Sequence, residues 1–363
     1  MRRTPTLPLV AGLAVMSLTA AACSNARGTD SAPGGGGGAT QGSGVIKIAF
    51  SAGQLDDDAM STLSDYMAKQ APTKNMQVIK AISAERKADK QVTDIQNLLA
   101  LQPDVLVVHP TDSSAVAAGI ALANQAGVPA FTVDTPSGGG VVVADSRADN
   151  VQAGAASAQM LVDQLKTNAC WAASSCKVLE LQGRLGSAAA DDRSQGMQKV
   201  LKATPQVKLT SRPTDWDATK AANEAQNVIT SNKDIAGITM ASELMLPGVL
   251  ASLKNAGLAA KVGEPNHVVV TAIDGTPNAL KLIKDGSADG TVSQPINSYV
   301  DALLDIIDKT RRQGQTVKEG KVTYGGIEGT VVMGPAGPDF LMPANPVTAK
   351  NVDDPKLWGN FKK

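Results

Sequence analysis

Apolar runs recur along the chain at near-even intervals, each separated from the next by a stretch with helical periodicity. VIKIAF begins at 45, MQVIKAI at 76, VLVVHP at 105 and PAFTVDT at 129, so successive starts lie 31, 29 and 24 residues apart. Amphipathic patterns such as Val92 to Leu101 and Ser114 to Ala126 fill the intervals. A second series follows, with KVLELQG from 177, QVKLTSRP from 206, IAGITMA from 235 and HVVVTAID from 267, spaced by 29, 29 and 32 residues. Strands that are apolar throughout suit a sheet covered on both faces, and parallel strands need a crossover helix between them. Two such series predict an α/β protein with two doubly wound parallel-sheet lobes. VVVADS, 141 to 146, closes the first series and leads into the crossover.

In open parallel sheets, ligands bind outside the carboxyl ends of the strands. The residues that follow each strand therefore matter most. The first strand delivers Gln54 and the run Asp56, Asp57, Asp58, and the fourth delivers Asp134 and Thr135. In the second series ELQG leads to Arg184, then Asp191, Asp192 and Arg193. SRPTDWD places Trp216 between Asp215 and Asp217, ITMASE places Ser242 and Glu243, VTAID places Asp274, and a further strand in ADGTVSQP ends at Gln294. Polar groups thus collect at one rim of both lobes, as a cleft would require.

The run Asp56 to Asp58 begins a helical stretch, where a capping carboxylate satisfies free backbone N–H groups and the positive helix end. Capping accounts for at least one of the three; contact of Asp57 or Asp58 with a ligand is the competing reading. Their spacing is not that of a calcium loop. Asp191 and Arg193 could likewise be a helix-start cluster or ligand contacts, and Glu243 reads as a solvated helix start. His109 ends a strand at the same rim, and His267 begins one. No G-x-S-x-G, HExxH or paired-cysteine metal spacing is present, so no metal or other cofactor is called for.

Charge and the termini change the picture further. The 34 basic and 34 acidic residues balance, which favours neither nucleic acid nor an anionic lipid surface. MRR followed by LPLVAGLAVMSLTAAA reads as a signal peptide over residues 1–22. It ends in small residues before Cys23 and resembles a lipoprotein signal, although Ala20 stands where such signals usually carry Leu. Simple secretory cleavage is the alternative. Residues 23–44 then form a lipid-bearing Cys23 and a Gly-rich tether, with a reach of roughly 25 Å. Cys170 and Cys176, the pair left in an oxidising compartment, read as a disulfide.

VLVVHPTDSSAVAAGIALANQAGVPAFTVD, LELQGRLGSAAADDRSQGMQKVL and IDGTPNALKLIKDGSADGTVSQP resemble the periplasmic ribose-binding proteins, the solute-binding components of sugar ABC importers. The resemblance runs from about Val45 to the C-terminus. It implies a type I periplasmic binding protein fold whose lobes, joined by a three-strand hinge, close on a ligand. The implied N-terminal lobe is 45–147 plus 295–328, and the C-terminal lobe is 148–294 plus 329–348. Asp134, Asp274 and Gln294 stand where the family holds its sugar, Trp216 where an aromatic ring stacks on it, and Ser242 where ribose binders carry Asn. The family's aromatic pair after the first strand is replaced around Asp57 and Asp58, and its Asp-Arg after the fourth is Asp134-Thr135. A pocket Arg of the family aligns with Asp191, while Arg193 meets another family Arg position.

The expectation is a monomeric, exported lipoprotein that is not an enzyme. It would capture a monosaccharide or sugar alcohol and pass it to the permease subunits of an ABC importer, with its lipid in the membrane and no nucleic-acid partner. Two other readings remain open: a secreted carbohydrate-active enzyme using paired carboxylates, and a binder of a small cationic or amino-sugar ligand.

Overall fold

The computed structural model describes residues 44–361; the signal peptide, Cys23 and the tether up to residue 43 lie outside the described residues. The first half alternates β1 (Ile46–Ala52), α1 (Asp58–Gln70), β2 (Met76–Ser83), α2 (Ala88–Leu99), β3 (Val105–His109), α3 (Val116–Gln125), β4 (Ala130–Val133) and β5 (Val142–Ala148). The second half runs α4 (Asn150–Leu165), α5 (Ala169–Ala172), β6 (Cys176–Gln182), α6 (Ala188–Lys202), β7 (Val207–Pro213), α7 (Ala218–Ser231), β8 (Ile235–Met240), α8 (Leu246–Asn255), β9 (Val269–Asp274), α9 (Pro277–Lys284) and β10 (Gly290–Ser293). Then come α10 (Ile296–Arg311), β11 (Gly320–Tyr324), β12 (Ile327–Met333), β13 (Pro338–Met342) and β14 (Asn345–Val347).

These elements build two sheets. The first has the order β2-β1-β3-β4-β5-β13-β12-β11, the second β7-β6-β8-β9-β10-β14. Strands β1 to β5 and β6 to β10 pair in parallel with the same connectivity, so each strand of one lobe has a counterpart in the other. The central strands are buried along their whole length, as Val105–His109 and Ile235–Met240 show. That is why the chain reads as unbroken apolar runs. Among the described residues, no helix is long and apolar enough to cross a membrane.

The chain crosses between lobes three times: after β5, after β10, and between β13 and β14. The last crossing differs from expectation. Residues 329 to 342, assigned from the sequence to the second lobe, pair in the first sheet, and only β14 joins the second. A Gly325–Gly326 turn, both glycines with positive φ, folds β12 back on β11 as a hairpin, and β13 then continues the same sheet beside β5. Gly-Gly is suited to that left-handed turn.

Arg147, near the end of β5, ties this hinge together. Its guanidinium lies 3.0 Å from Asp145, 3.0 Å from Asp339 on β13, and 3.1 Å from Asp192 on α6 of the other lobe. Burial pushes the Asp145 carboxyl up to about 7, against the pull of Arg147 and with the nearby Asp339 charge adding to the rise.

Cys170 and Cys176 are bonded, linking short α5 to the start of β6. The sequence separation is only 6, so the clip removes little chain freedom, roughly 2–3 kcal/mol in the loop-entropy account. Replacing both by Ser should lower the unfolding free energy by about that amount and leave ligand affinity unchanged. Chemical denaturation with a parallel binding titration checks this; a lost affinity would place the clip in the binding apparatus.

Candidate functional site

The carboxyl ends of both sheets face one another across a cavity of about 410 Å³, a size suited to a small organic ligand. The lobes touch across its mouth. The Ala188 N–H donates to Ser113 Oγ at 3.3 Å, and Arg184 reaches the Arg86 carbonyl at 3.5 Å.

On the first lobe, Asp134 follows β4 with φ of 68° and a side chain 12% exposed. The His109 ring beside it is oriented by its own contacts: the Gly53 N–H donates to Nδ1 at 3.3 Å, leaving Nε2 to face Asp134 Oδ2 at 3.3 Å. Gln91 fixes the backbone there, donating to the His109 carbonyl and accepting from the Thr111 N–H, both at 2.8 Å. Burial opposes charge on Asp134. The His109 hydrogen bond, then Arg193 and Thr135, outweigh it and hold the carboxyl below its usual range. Asp134 is therefore a preset acceptor.

The second lobe answers with Asp274, at the end of β9, the strand equivalent to β4. Asp274 Oδ1 pairs with Arg193 at 3.1 Å, and Oδ2 accepts from Ser242 Oγ at 2.6 Å and from the Glu243 N–H at 3.3 Å. Arg193 is buried and also donates to Asn150 Oδ1 at 2.8 Å and the Ala241 carbonyl at 2.7 Å. Its guanidinium carbon lies 5.9 Å from the Trp216 ring centroid, a cation–π distance. The placement of Arg193 comes from packing: α4 and α6 touch so closely that a Cβ on Gly154 or Gly196 would lie 2.0 Å from a backbone oxygen of the other helix. Burial pushes Asp274 up to about 7, Arg193 pulling it back and the Glu243 charge reinforcing the rise.

Most of the residues singled out from sequence meet here. Asp57, Asp58, Asp134, Arg193, Trp216, Ser242, Asp274 and Gln294 all line the cavity. Asp57 also does what a cap does: Oδ1 accepts from the Met60 N–H at 2.8 Å while Oδ2 takes Gln54 at 3.2 Å. Asp191 does not belong. It is exposed in the first turn of α6, because Ala189 and Arg193, one turn apart, share the face turned to the cavity and Asp191 lies between them on the other side. The carboxylates flanking Trp216 also turn away, Asp217 capping α7 and Asp215 pairing with Lys220.

Glu243 departs from the expected solvated helix start. It is buried and accepts the Gly275 and Thr276 N–H groups at 2.8 and 2.7 Å and the Thr291 hydroxyl. Burial raises its carboxyl, against those hydrogen bonds. Arg86 is a further cavity residue that the strand-end reading passed over. It stands in the turn after β2, where Glu85 and Arg86 both take positive φ, and Asp215 and Trp216 do the same after β7. Arg86 is therefore the first lobe's counterpart of Trp216, and it pairs with Asp56.

Residues 48–314 match the periplasmic binding protein domain family. The chain belongs to that family. This periplasmic binding protein is 30% identical over 262 residues to the ribose import binding protein of Salmonella typhimurium, covering 72% of this chain and 83% of that one. It is 27% identical over 273 residues to the xylitol-binding protein of Mycolicibacterium smegmatis, covering 75% and 68%. Among solved structures, an ABC transporter solute-binding protein from Mycobacterium smegmatis with bound glycerol superposes with a TM-score of 0.72 at 22% identity, covering 88% of this chain and all of that one. The two-lobed type I fold is thereby shared.

If Asp274 receives ligand hydroxyls as a carboxylate, acid should weaken binding. With its ligand-free value near 7, affinity should be about tenfold weaker at pH 6 than at pH 8, since binding then requires loss of a proton. Asp274→Asn should weaken binding at both pH values and remove the dependence, while Asp191→Ala should leave affinity and its pH profile intact. Calorimetric titration at the two pH values decides; equal affinities in the wild type would contradict the assignment.

Proposed function

We propose that this periplasmic binding protein captures a monosaccharide or sugar alcohol outside the cytoplasm by lobe closure, and hands it to an ABC importer without chemical change. The observation that carries the reading is the pairing of Asp134 and Asp274. They stand at equivalent strand ends of the two lobes and face one cavity. Ionised carboxylates accept strong hydrogen bonds from hydroxyls, so a ligand bearing hydroxyls on both sides bridges the lobes and favours the closed form. Trp216 offers one ring face where the ribose-binding pattern has further rings, and Arg86 occupies its counterpart. That suits a flexible polyol as well as a ring sugar, in keeping with relatives named for ribose and xylitol.

Transport rather than catalysis is supported by those relatives, which are binding proteins. Membrane attachment through lipid on Cys23, with the Gly-rich tether as spacer, is supported by the LTAAAC signal. A second reading, an amino-sugar or small cationic ligand, draws on the lining: six carboxylates (Asp56, Asp57, Asp58, Asp134, Glu243, Asp274) against three guanidiniums (Arg86, Arg184, Arg193) among the described residues.

A thermal-shift and calorimetric screen across pentoses, hexoses, linear polyols, amino sugars, amino acids and nucleosides tests the class. A neutral sugar or polyol should stabilise the protein by about 2.7 kcal/mol at a hundredfold excess over its Kd. A response only to amino sugars would select the second reading, and one confined to amino acids or nucleosides would overturn both.

A further inference from the structure

The C-terminal segment after β14 falls outside the span matched by the family and outside both lobes as read from the sequence, yet it reaches the back of the binding site. Residues 348–361 run as a series of turns over the second lobe. Asn351 and Asn360 staple them, Asn351 accepting the Thr348 N–H at 2.8 Å and Asn360 donating to the Val352 and Asp354 carbonyls at 2.9 and 2.8 Å. Leu357 and Val352 join that lobe's core, and Trp358 is buried in a separate core cluster that also holds Ile273.

Trp358 Nε1 donates to the backbone carbonyl of Asp274 at 2.7 Å. The same oxygen accepts the Gln294 N–H at 2.9 Å. Asp274 needs such support, because its φ is 146°, a backbone conformation that residues with a side chain rarely adopt. Strained backbone persists only where its surroundings over-determine it. The next residue of the tail is equally close: a Cβ on Gly359 would lie 2.3 Å from the Gly275 carbonyl oxygen. The Glu243 carboxylate holds the Gly275 and Thr276 N–H groups of the same loop. The turn carrying Asp274 is thus held by both Glu243 and the tail. Trp358 does not line the cavity.

We infer that the C-terminal tail is a strap in which Trp358 and Gly359 are positioning residues, fixing the Asp274 peptide and so aiming its carboxylate at Arg193, Ser242 and the ligand. The effect on affinity rests on the reading of Asp274 as a ligand acceptor; the effect on the Asp274 carboxylate does not.

The test uses the full-length chain and two readouts. Carbon-13 NMR of the Asp274 carboxyl, without ligand, follows its titration midpoint, which depends on the contacts with Arg193 and Ser242. Trp358→Phe keeps an aromatic ring but loses the N–H, and Gly359→Ala pushes the loop while keeping the tryptophan. Each should move the midpoint by at least about half a unit, whereas Val352→Ala, which loosens the tail away from the loop, should lower the melting temperature and leave the midpoint in place. With D-ribose as probe, Trp358→Phe should weaken binding about three- to tenfold, as loss of one supporting hydrogen bond would. An unchanged midpoint in both Trp358→Phe and Gly359→Ala overturns the strap. Equal ribose affinity in Asp274→Asn and wild type instead removes Asp274 from the ligand, and the NMR result alone then decides the strap.

Discussion

A buried guanidinium sets the terms for the second lobe's half of the cleft. Arg193 is only 5% exposed, and an unpaired charge at such a place would be costly, so the guanidinium must be paired. It is: Nε donates to Asn150 from the first turn of α4, and Nη1 donates to the Ala241 carbonyl after β8 and to Asp274 at the end of β9, with the Trp216 ring face above. Four separate chain segments are thereby held in register around one side chain. The close approach of α4 and α6 puts the guanidinium there, and Ser242 and Glu243 then complete the coordination of Asp274.

The first lobe solves the same problem with milder chemistry. Asp134, at the equivalent strand end, leans on His109 and Thr135 rather than on a guanidinium in direct contact. The two acids consequently differ in character, one held below the usual carboxylate range and one raised toward neutrality. A ligand that bridges them meets a firm acceptor on one side and a proton-sensitive one on the other. The hinge adds a further link, because Asp192, which pairs with Arg147 across the lobes, adjoins Arg193 on α6. Helix α6 therefore carries both a hinge contact and the central cavity cation.

The repeated strands were legible because burial on both faces leaves only apolar residues to occupy them, and the strand-end rule then located Asp134, Asp274, Trp216 and Gln294 in one cavity. What escaped depends on features a linear reading does not register. Asp191 and Arg193 differ by two residues, which on a helix is nearly opposite faces, and only the packing of α4 against α6 says which face is inward. Glu243 looks like a soluble helix start until the Asp274–Thr276 turn brings two N–H groups to it. The hairpin of β11 and β12 turns on Gly325–Gly326, but it joins the first sheet through β13, whose other neighbour, β5, lies far away in sequence. Trp358 reaches Asp274 across 84 residues, a contact that no local pattern encodes.

The central claim is that Arg193 and Asp274 work as one unit, the guanidinium holding the carboxylate that accepts from the ligand. A double-mutant cycle on ligand affinity, built from Arg193→Gln, Asp274→Asn and the combined variant, tests it directly. Coupling of at least about 1.5 kcal/mol between the two sites is the expected result, as for close charge pairs at a binding surface. Single-variant losses that simply add, within about 0.5 kcal/mol, would show that each side chain acts alone and would contradict the account.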